Sequence, residues 1–304
     1  MCWRRRSWML LMVFITLADT NTTVSYKRGY SLPHKNLCKQ VGLHLRLLIL
    51  VASSVKNAAQ RDAIRYSWGH YARSSHVAVA FVLGAPASHM LSVLAVEDAR
   101  YGDLIIGNSD QLSPLFKMAS MIDWTHTYCL NSPRLFTMND RVFINVNNLL
   151  RLVEAPEYAD AKLTVWGDFT ISNDIRGSDV YLFSNDTIVR LVSTTANITS
   201  NDKVLLSSDT ARDVKRYNVP YFINTLQQSC NITLHVACRI FFHYQQYELW
   251  QSTFEPRNVT RNVINVRKTG SNIVKSSGSL RRMKPVINTD FIIISLFFLL
   301  LCIF

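Results

Sequence analysis

Residues 47–69 read LLILVASSVKNAAQRDAIRYSWG, and the fold turns on how this stretch is read. Leu47 to Val51 is an unbroken apolar run of the kind found in strands covered on both faces in a parallel sheet. Asn57 to Trp68 then follows a helical period. Ala58, Ala59, Ala63, Ile64 and Ser67 or Trp68 fall on one stripe, while Arg61, Asp62 and Arg65 point elsewhere. The alternation repeats downstream. Val77 to Leu83, closed by Gly84, reads as a second strand, Met90 to Ala99 as a helix, Leu104 to Ile106 as a third strand and Leu115 to Cys129 as a longer helix. Leu135 to Met138 and Val142 to Ile144 are strand pieces on either side of Asn139-Asp140-Arg141, and Asn147 to Val153 is helical. Repeated βα units imply an α/β fold, a doubly wound, mostly parallel sheet whose ligands collect at the carboxyl ends of its strands. The triplet at 139–141 sits at such an end. After about Asp160 the alternation fades, and Asp179 to Phe183, Lys203 to Leu206 and Arg239 to His243 are the short strands expected in a more irregular α+β half.

The chain has 304 residues, 48% hydrophobic and 18% charged, which excludes a disordered chain. Six cysteines in that length are too sparse for a disulfide-stapled mini-protein. The formal net charge of +12 is unevenly placed: between Arg257 and Lys284 lie eight cations and no acidic residue. A basic tail rather than a basic fold carries much of the excess, so no nucleic-acid partner is expected. No Gly-rich phosphate loop, paired Cys-x-x-Cys, HExxH helix or G-x-S-x-G elbow is present, which leaves hydrolase and kinase readings without a motif. Trp68 and Trp124 sit on apolar faces and are expected in the core.

Both ends point to membranes. Arg4, Arg5 and Arg6 precede the apolar run Trp8 to Ala18, the charge order of an export signal, so residues 1–20 read as a signal peptide or signal-anchor. A stem is expected over 21–43, the main domain over 44–255 and a basic linker over 256–290. The apolar tail 291–304 follows small residues and a polar spacer, as in a GPI-attachment signal; a short tail anchor or a docked hydrophobic end are the alternatives. Sequons at Asn21, Asn185, Asn197, Asn231 and Asn258 suit a lumenal glycoprotein. In an oxidising lumen Cys38, Cys129, Cys230 and Cys238 can pair, with three connectivities open.

An ordered series of blocks resembles the β-1,3-glycosyltransferase family, the galactosyl- and N-acetylglucosaminyltransferases of the secretory pathway. Arg61-Asp62-Ala63-Ile64-Arg65-Tyr66-Ser67-Trp68-Gly69 resembles R-x-A-I-R-x-T-W-G, and Phe81-Val82-Leu83-Gly84 resembles F-L-L-G. Glu97 with Tyr101-Gly102-Asp103-Leu104-Ile105 resembles the family's E followed by Y-G-D-I-I. Lys117, Trp124 and Cys129 keep its spacing of Lys, Trp and Cys, and residues 139–150 resemble D-D-D-V-F-V-N-V-x-N-L-L. The series covers about residues 45–153. The resemblance implies a GT-A-like fold, a UDP-sugar donor, a glycan acceptor, transfer in β-1,3 linkage with inversion, and a Golgi membrane location with a lumenal domain; a GPI-anchored surface location is the alternative.

In that family the acidic triplet holds a divalent ion, usually Mn²⁺, which neutralises the diphosphate as UDP departs. Here the triplet is Asn139-Asp140-Arg141, so only Asp140 offers a carboxylate. Three readings follow: Arg141 replaces the ion on the phosphates, the site is dead and the fold is a binding module, or Arg141 points into solvent from a tight turn. Asp140 and His243 are the residues left to hold an ion. By resemblance Arg61 and Arg65 face the nucleotide, with exposed helical charges as the alternative, and His243 lies near the diphosphate. Arg176 stands where the family has the cysteine expected to pair with Cys129. No convincing copy of the family's E-D-V-Y-V-G block exists, so Asp209 or Asp213 is expected as the base by position only. The competing function is a catalytically silent, membrane-associated protein that binds glycan or nucleotide.

Overall fold

The structure, a computed structural model, describes residues 24–254 except 110–112, 168, 170–179, 200–201, 203–204, 206–211, 220–222 and 225–234. The chain divides into units 1–256 and 257–304, and every described residue lies in the first. Both terminal apolar runs, the basic linker and Asn21, Asn231, Asn258, Asp209 and Cys230 lie outside the described residues. Among the described residues no helix is long and apolar enough to cross a membrane.

At the first strand of the alternation, the expected chemistry holds. β1 (Tyr30–Leu32) and α1 (Leu37–Val41) lead into β2 (Leu47–Ala52), in which all six residues are buried. Alternate side chains of β2 enter two cores, one containing Leu48 and Leu50, the other Leu47, Ile49 and Val51. Period-two alternation with both faces apolar is what a central strand needs. The helix expected over Asn57 to Trp68 ends early, as α2 (Ala58–Arg65), and a second helix that the pattern did not predict, α3 (Trp68–Ser74), begins at Trp68. Ser67 Oγ donates back to the Ala63 carbonyl at 2.6 Å, competing with the helical ladder there. At Gly69 a Cβ would meet the Ile64 carbonyl oxygen at 2.7 Å, so only glycine lets α3 turn across the end of α2. The bend carries Trp68 into the core, fully buried.

β3 (Val77–Leu83), α4 (Leu91–Tyr101), β4 (Leu104–Gly107), α5 (Pro114–Tyr128), β5 (Arg134–Asn139), β6 (Val142–Ile144) and α6 (Val146–Glu154) follow the predicted order. α4 ends on Gly102 in the left-handed conformation, φ +62°, where glycine carries no Cβ penalty. The second half adds α7 (Pro156–Ala159), β7 (Thr164–Gly167), β8 (Tyr181–Ser184), α8 (Asn185–Thr195), β9 (Lys215–Asn218), β10 (Ile223–Asn224), β11 (Ala237–Arg239) and α9 (Gln245–Phe254). The main sheet runs β1-β4-β3-β2-β5-β8-β7-β9, with β4, β3, β2 and β5 parallel, β8 antiparallel to both neighbours, and β7 parallel to β9. This is the expected mostly parallel α/β sheet. A second sheet, β10-β11-β6, pairs Arg239 with Val142 beside the triplet.

Three expectations need correction. Residues 24–43 are not a stem: Tyr30 pairs with Gly107, Ser25 bridges Thr199, and Cys38 is fully buried in a disulfide with Cys129. The family's missing cysteine at 176 therefore does not leave Cys129 unpaired; its partner comes from the N-terminal strap. Cys238 is also disulfide-bonded. The strand expected over Arg239 to His243 ends at Arg239, and residues 241–244 form a turn into α9. The strand expected at 203–206 falls almost wholly outside the described residues.

Candidate active site

The carboxyl ends of β2 and β5 meet where Asp140 N–H donates to the Ala52 carbonyl at 3.1 Å. The three side chains at the end of β5 and just after it point in different directions. Asn139 Oδ1 accepts the Arg141 backbone N–H at 2.9 Å, closing the turn. Asp140 is buried, its Oδ2 accepting Ser53 Oγ at 2.7 Å and Asn57 Nδ2 at 2.8 Å. Arg141 is exposed.

A lysine that the sequence reading noted only for its spacing joins this edge. Lys117, on α5, lines a slit with Gly84 and Gly107 beyond β3 and at the end of β4. Burial pushes its ammonium below the usual 10.5, and the Asp140 carboxylate pulls it back up. No side chain among the described residues pairs with it.

The described side chains around the triplet do not fit a divalent ion. Such an ion needs several oxygen ligands around one point. The single carboxylate left in the triplet spends one oxygen on Ser53 and Asn57, a guanidinium follows it, and no group of three His, Cys, Asp or Glu among the described residues is placed to hold a metal. His243 is exposed in the turn before α9, its ring edge-on to Tyr244 at 6.3 Å. The backbone brings that turn to the triplet, since Ile240 N–H donates to the Arg141 carbonyl at 2.9 Å.

Arg61 and Arg65 turn into the fold and pair with acids. Arg61 is fully buried, its Nε and Nη2 gripping the Glu97 carboxylate at 2.6 and 2.5 Å, with Nη1 on the Ser54 carbonyl at 2.5 Å. Arg65 pairs with Asp103 through Nε at 3.0 Å and Nη2 at 2.7 Å, reaches Glu97 at 2.8 Å, and has Tyr101 under its guanidinium at 4.0 Å. Arg73 also pairs with Asp103. Burial pushes the Glu97 carboxyl up, but hydrogen bonds and charge from Arg61 and Arg65 outweigh it and hold the group below its ordinary value. These arginines clamp α2 to α4 and to the loop before β4. The acids were visible in the sequence as Glu97 and Tyr101-Gly102-Asp103; what no local pattern revealed was that two helix charges 36 and 38 residues away turn inward to meet them.

Asp213 lies at the wrong edge. Register carries Thr137 across to Tyr181, Gly167 and Asn218 at the edge of Asp140, whereas Arg134, Ser184, Thr164 and Lys215 mark the opposite one. Asp213, two residues before Lys215, is exposed there and pairs with Arg190 at 3.1 Å. An open cavity of about 540 Å³ lies at that edge too, lined by Arg134, Asp160 and Lys162. The sequon at Asn185 is likewise built into the fold: its Nδ2 donates to the Leu130 and Ser132 carbonyls, and Thr187 is fully buried. Asn197 is exposed.

Residues 59–187 match the family model described as Galactosyltransferase. Lactosylceramide 1,3-N-acetyl-beta-D-glucosaminyltransferase of Homo sapiens is 28% identical over 176 residues, 54% of this chain and 44% of that protein. Beta-1,3-galactosyltransferase 4 of Homo sapiens is 34% identical over 129 residues, 39% and 34% of the two chains. UDP-GlcNAc:betaGal beta-1,3-N-acetylglucosaminyltransferase 7 of Rattus norvegicus is 32% identical over 121 residues, 35% and 30%. The chain thus spans less than half the length of these relatives. The matched stretch runs from α2, through the arginine clamp, Lys117 and the Asn139–Arg141 turn, to the start of α8, and over it the chain is similar to the galactosyltransferase family.

Proposed function

We propose that the protein transfers galactose or N-acetylglucosamine from a UDP-sugar to a glycan hydroxyl in β-1,3 linkage, and that side-chain cations rather than a metal ion receive the departing diphosphate. The observation that carries this reading is the orientation of the triplet. Asp140 turns inward to brace Ser53 and Asn57, while Arg141 turns outward with an unpaired ammonium, Lys117, on the same edge. A guanidinium binds phosphate oxygens through two parallel N–H bonds and stays charged at any physiological pH; an ammonium adds a point charge. Such fixed charges stabilise a leaving diphosphate in the transition state without reorganising. The acceptor oxygen attacks the anomeric carbon, the bond to the diphosphate breaks with inversion, and the hydroxyl proton passes to a base. Asp213 is too remote for that role, which leaves Asp209 as the candidate by position. The relatives, the exposed sequon at Asn197 and the Cys38–Cys129 disulfide support work in the lumen of the secretory pathway, in the Golgi membrane.

The test is calorimetry of the full chain with UDP in EDTA and then in Mn²⁺. Binding of equal strength in both, weakened at least tenfold in Arg141→Ala and in Lys117→Met, supports the reading; absence of binding in both overturns it. The silent-module reading has one observation in its favour: the carboxylate of Asp140 is already occupied by protein donors. UDP binding without turnover of UDP-galactose or UDP-N-acetylglucosamine would establish it.

A further inference from the structure

The turn between β11 and α9 displays large aromatic side chains to solvent: Phe241 is 66% exposed, Phe242 59% and Tyr244 48%. Exposed apolar side chains of this size, clustered, mark a binding surface more often than chance. Their backbone is fixed from several sides. The Phe241 and Phe242 N–H groups both donate to Gln245 Oε1, at 2.8 and 2.9 Å, and Ile240 N–H donates to the Arg141 carbonyl. Gln246, fully buried, donates to the Val142 carbonyl at 2.9 Å and accepts Trp68 Nε1–H at 3.0 Å. The Phe242 and Tyr244 rings stand nearly parallel, 6° apart with centroids at 5.5 Å. The backbone that carries the rings is therefore set before any ligand arrives, and two of the rings pair with each other, which removes part of the ordering cost of binding.

We propose that residues 241–244 form the acceptor shelf, a preset aromatic surface that takes the apolar face of a β-galactoside ring. This rests on the transferase reading above, because the shelf begins beside Arg141, where that reading puts the diphosphate and hence the anomeric carbon. A galactopyranose carries contiguous C–H bonds at C3, C4 and C5 on one face and hydroxyls around its rim, so it suits rings interleaved with donors. His243 and the Tyr244 hydroxyl supply those donors, and neither makes a side-chain hydrogen bond to a described residue. A lipid surface suits the site less well: polar His243 and Gln245 interrupt the apolar run, and exposed Glu248 follows on α9.

The test is saturation-transfer NMR of the full chain with lactose, with UDP titrated in parallel. The proposal expects saturation at galactose H3, H4 and H5, at least tenfold weaker lactose binding in F242A/Y244A, retention in Phe242→Trp, and unchanged UDP affinity in both variants. That unchanged affinity also shows that the variants fold. Lactose binding that survives F242A/Y244A, or no lactose binding by the unaltered chain, overturns the shelf. Phosphatidylcholine vesicle binding that is lost in F242A/Y244A while lactose never binds overturns it in favour of a membrane contact. Shelf-dependent lactose binding without UDP binding would instead retain the shelf and remove the transferase reading.

Discussion

Glu97→Gln tests whether Arg61 and Arg65 are structural clamps rather than nucleotide ligands. The substitution keeps the side-chain volume and one acceptor but removes the anion between two guanidinium groups whose side chains are 0% and 2% exposed. Arg65 retains Asp103, whereas Arg61 keeps only neutral oxygens, Ser53 Oγ and the Ser54 carbonyl. Breaking one partner of a buried pair strands a desolvated charge and costs about 3–5 kcal/mol; with Arg65 still paired the lower end applies, about 3 kcal/mol. For a domain of this size that is a fall in Tm of about 6–12 °C. The pH dependence has a definite sign. Glu97 is held below 4.5 in the folded chain, so between the two values the unfolded chain binds more protons. The clamp's contribution is complete above about pH 4.5 and is lost as pH falls through the depressed value, and the variant lacks this part of the acid limb. Urea unfolding at pH 7 and pH 4, with UDP titration alongside, reads both effects. A loss below about 1 kcal/mol together with loss of UDP affinity would refute the clamp and return these arginines to the nucleotide.

Other consequences follow from the same contacts. Peptide mapping after deglycosylation in heavy-oxygen water should find glycan at Asn197 and none at Asn185, whose amide hydrogens are committed to Leu130 and Ser132; occupancy at Asn185 would contradict the packing around Thr187. Replacing Cys38 and Cys129 by alanine opens a loop with a sequence separation of 91 and should cost about 4–5 kcal/mol by loop entropy, read as a lower urea midpoint. If residues 24–43 were a stem, the midpoint would not move. Lys117→Met should weaken UDP binding while leaving stability at pH 7 unchanged or raised, because a half-buried, unpaired ammonium is costly to keep charged. In the unaltered chain UDP affinity should fall with rising pH before 10.5 is reached, since the ammonium deprotonates early; a flat alkaline limb would count against its role.

How far the sequence could be read depended on the range of the interactions. Central strands were legible because burial on both faces demands unbroken apolar runs, and Val77–Leu83 and Val142–Ile144 have the predicted bounds. The predicted helix ran on to Trp68, past the end of α2 at Arg65, because Ser67 is a weak breaker by type and its effect comes from the contact to Ala63; α3 went unread. β7 and β9 are short, so period-two patterning had too few residues to register. The triplet's importance was legible and its geometry was not. That Asp140 turns in and Arg141 out depends on Ser53 and Asn57, more than eighty residues earlier. Asp213 looked suitable by chain position, and only the register of β5, β8, β7 and β9 shows which edge it occupies.

The most direct measurement is the affinity of the full chain for UDP with every divalent ion chelated, compared with the affinity in saturating Mn²⁺. If Arg141 and Lys117 stand in for the ion, the two values agree within about twofold, and Arg141→Ala lowers both at least tenfold. Affinity that appears only with Mn²⁺, or that ignores Arg141, would contradict the account.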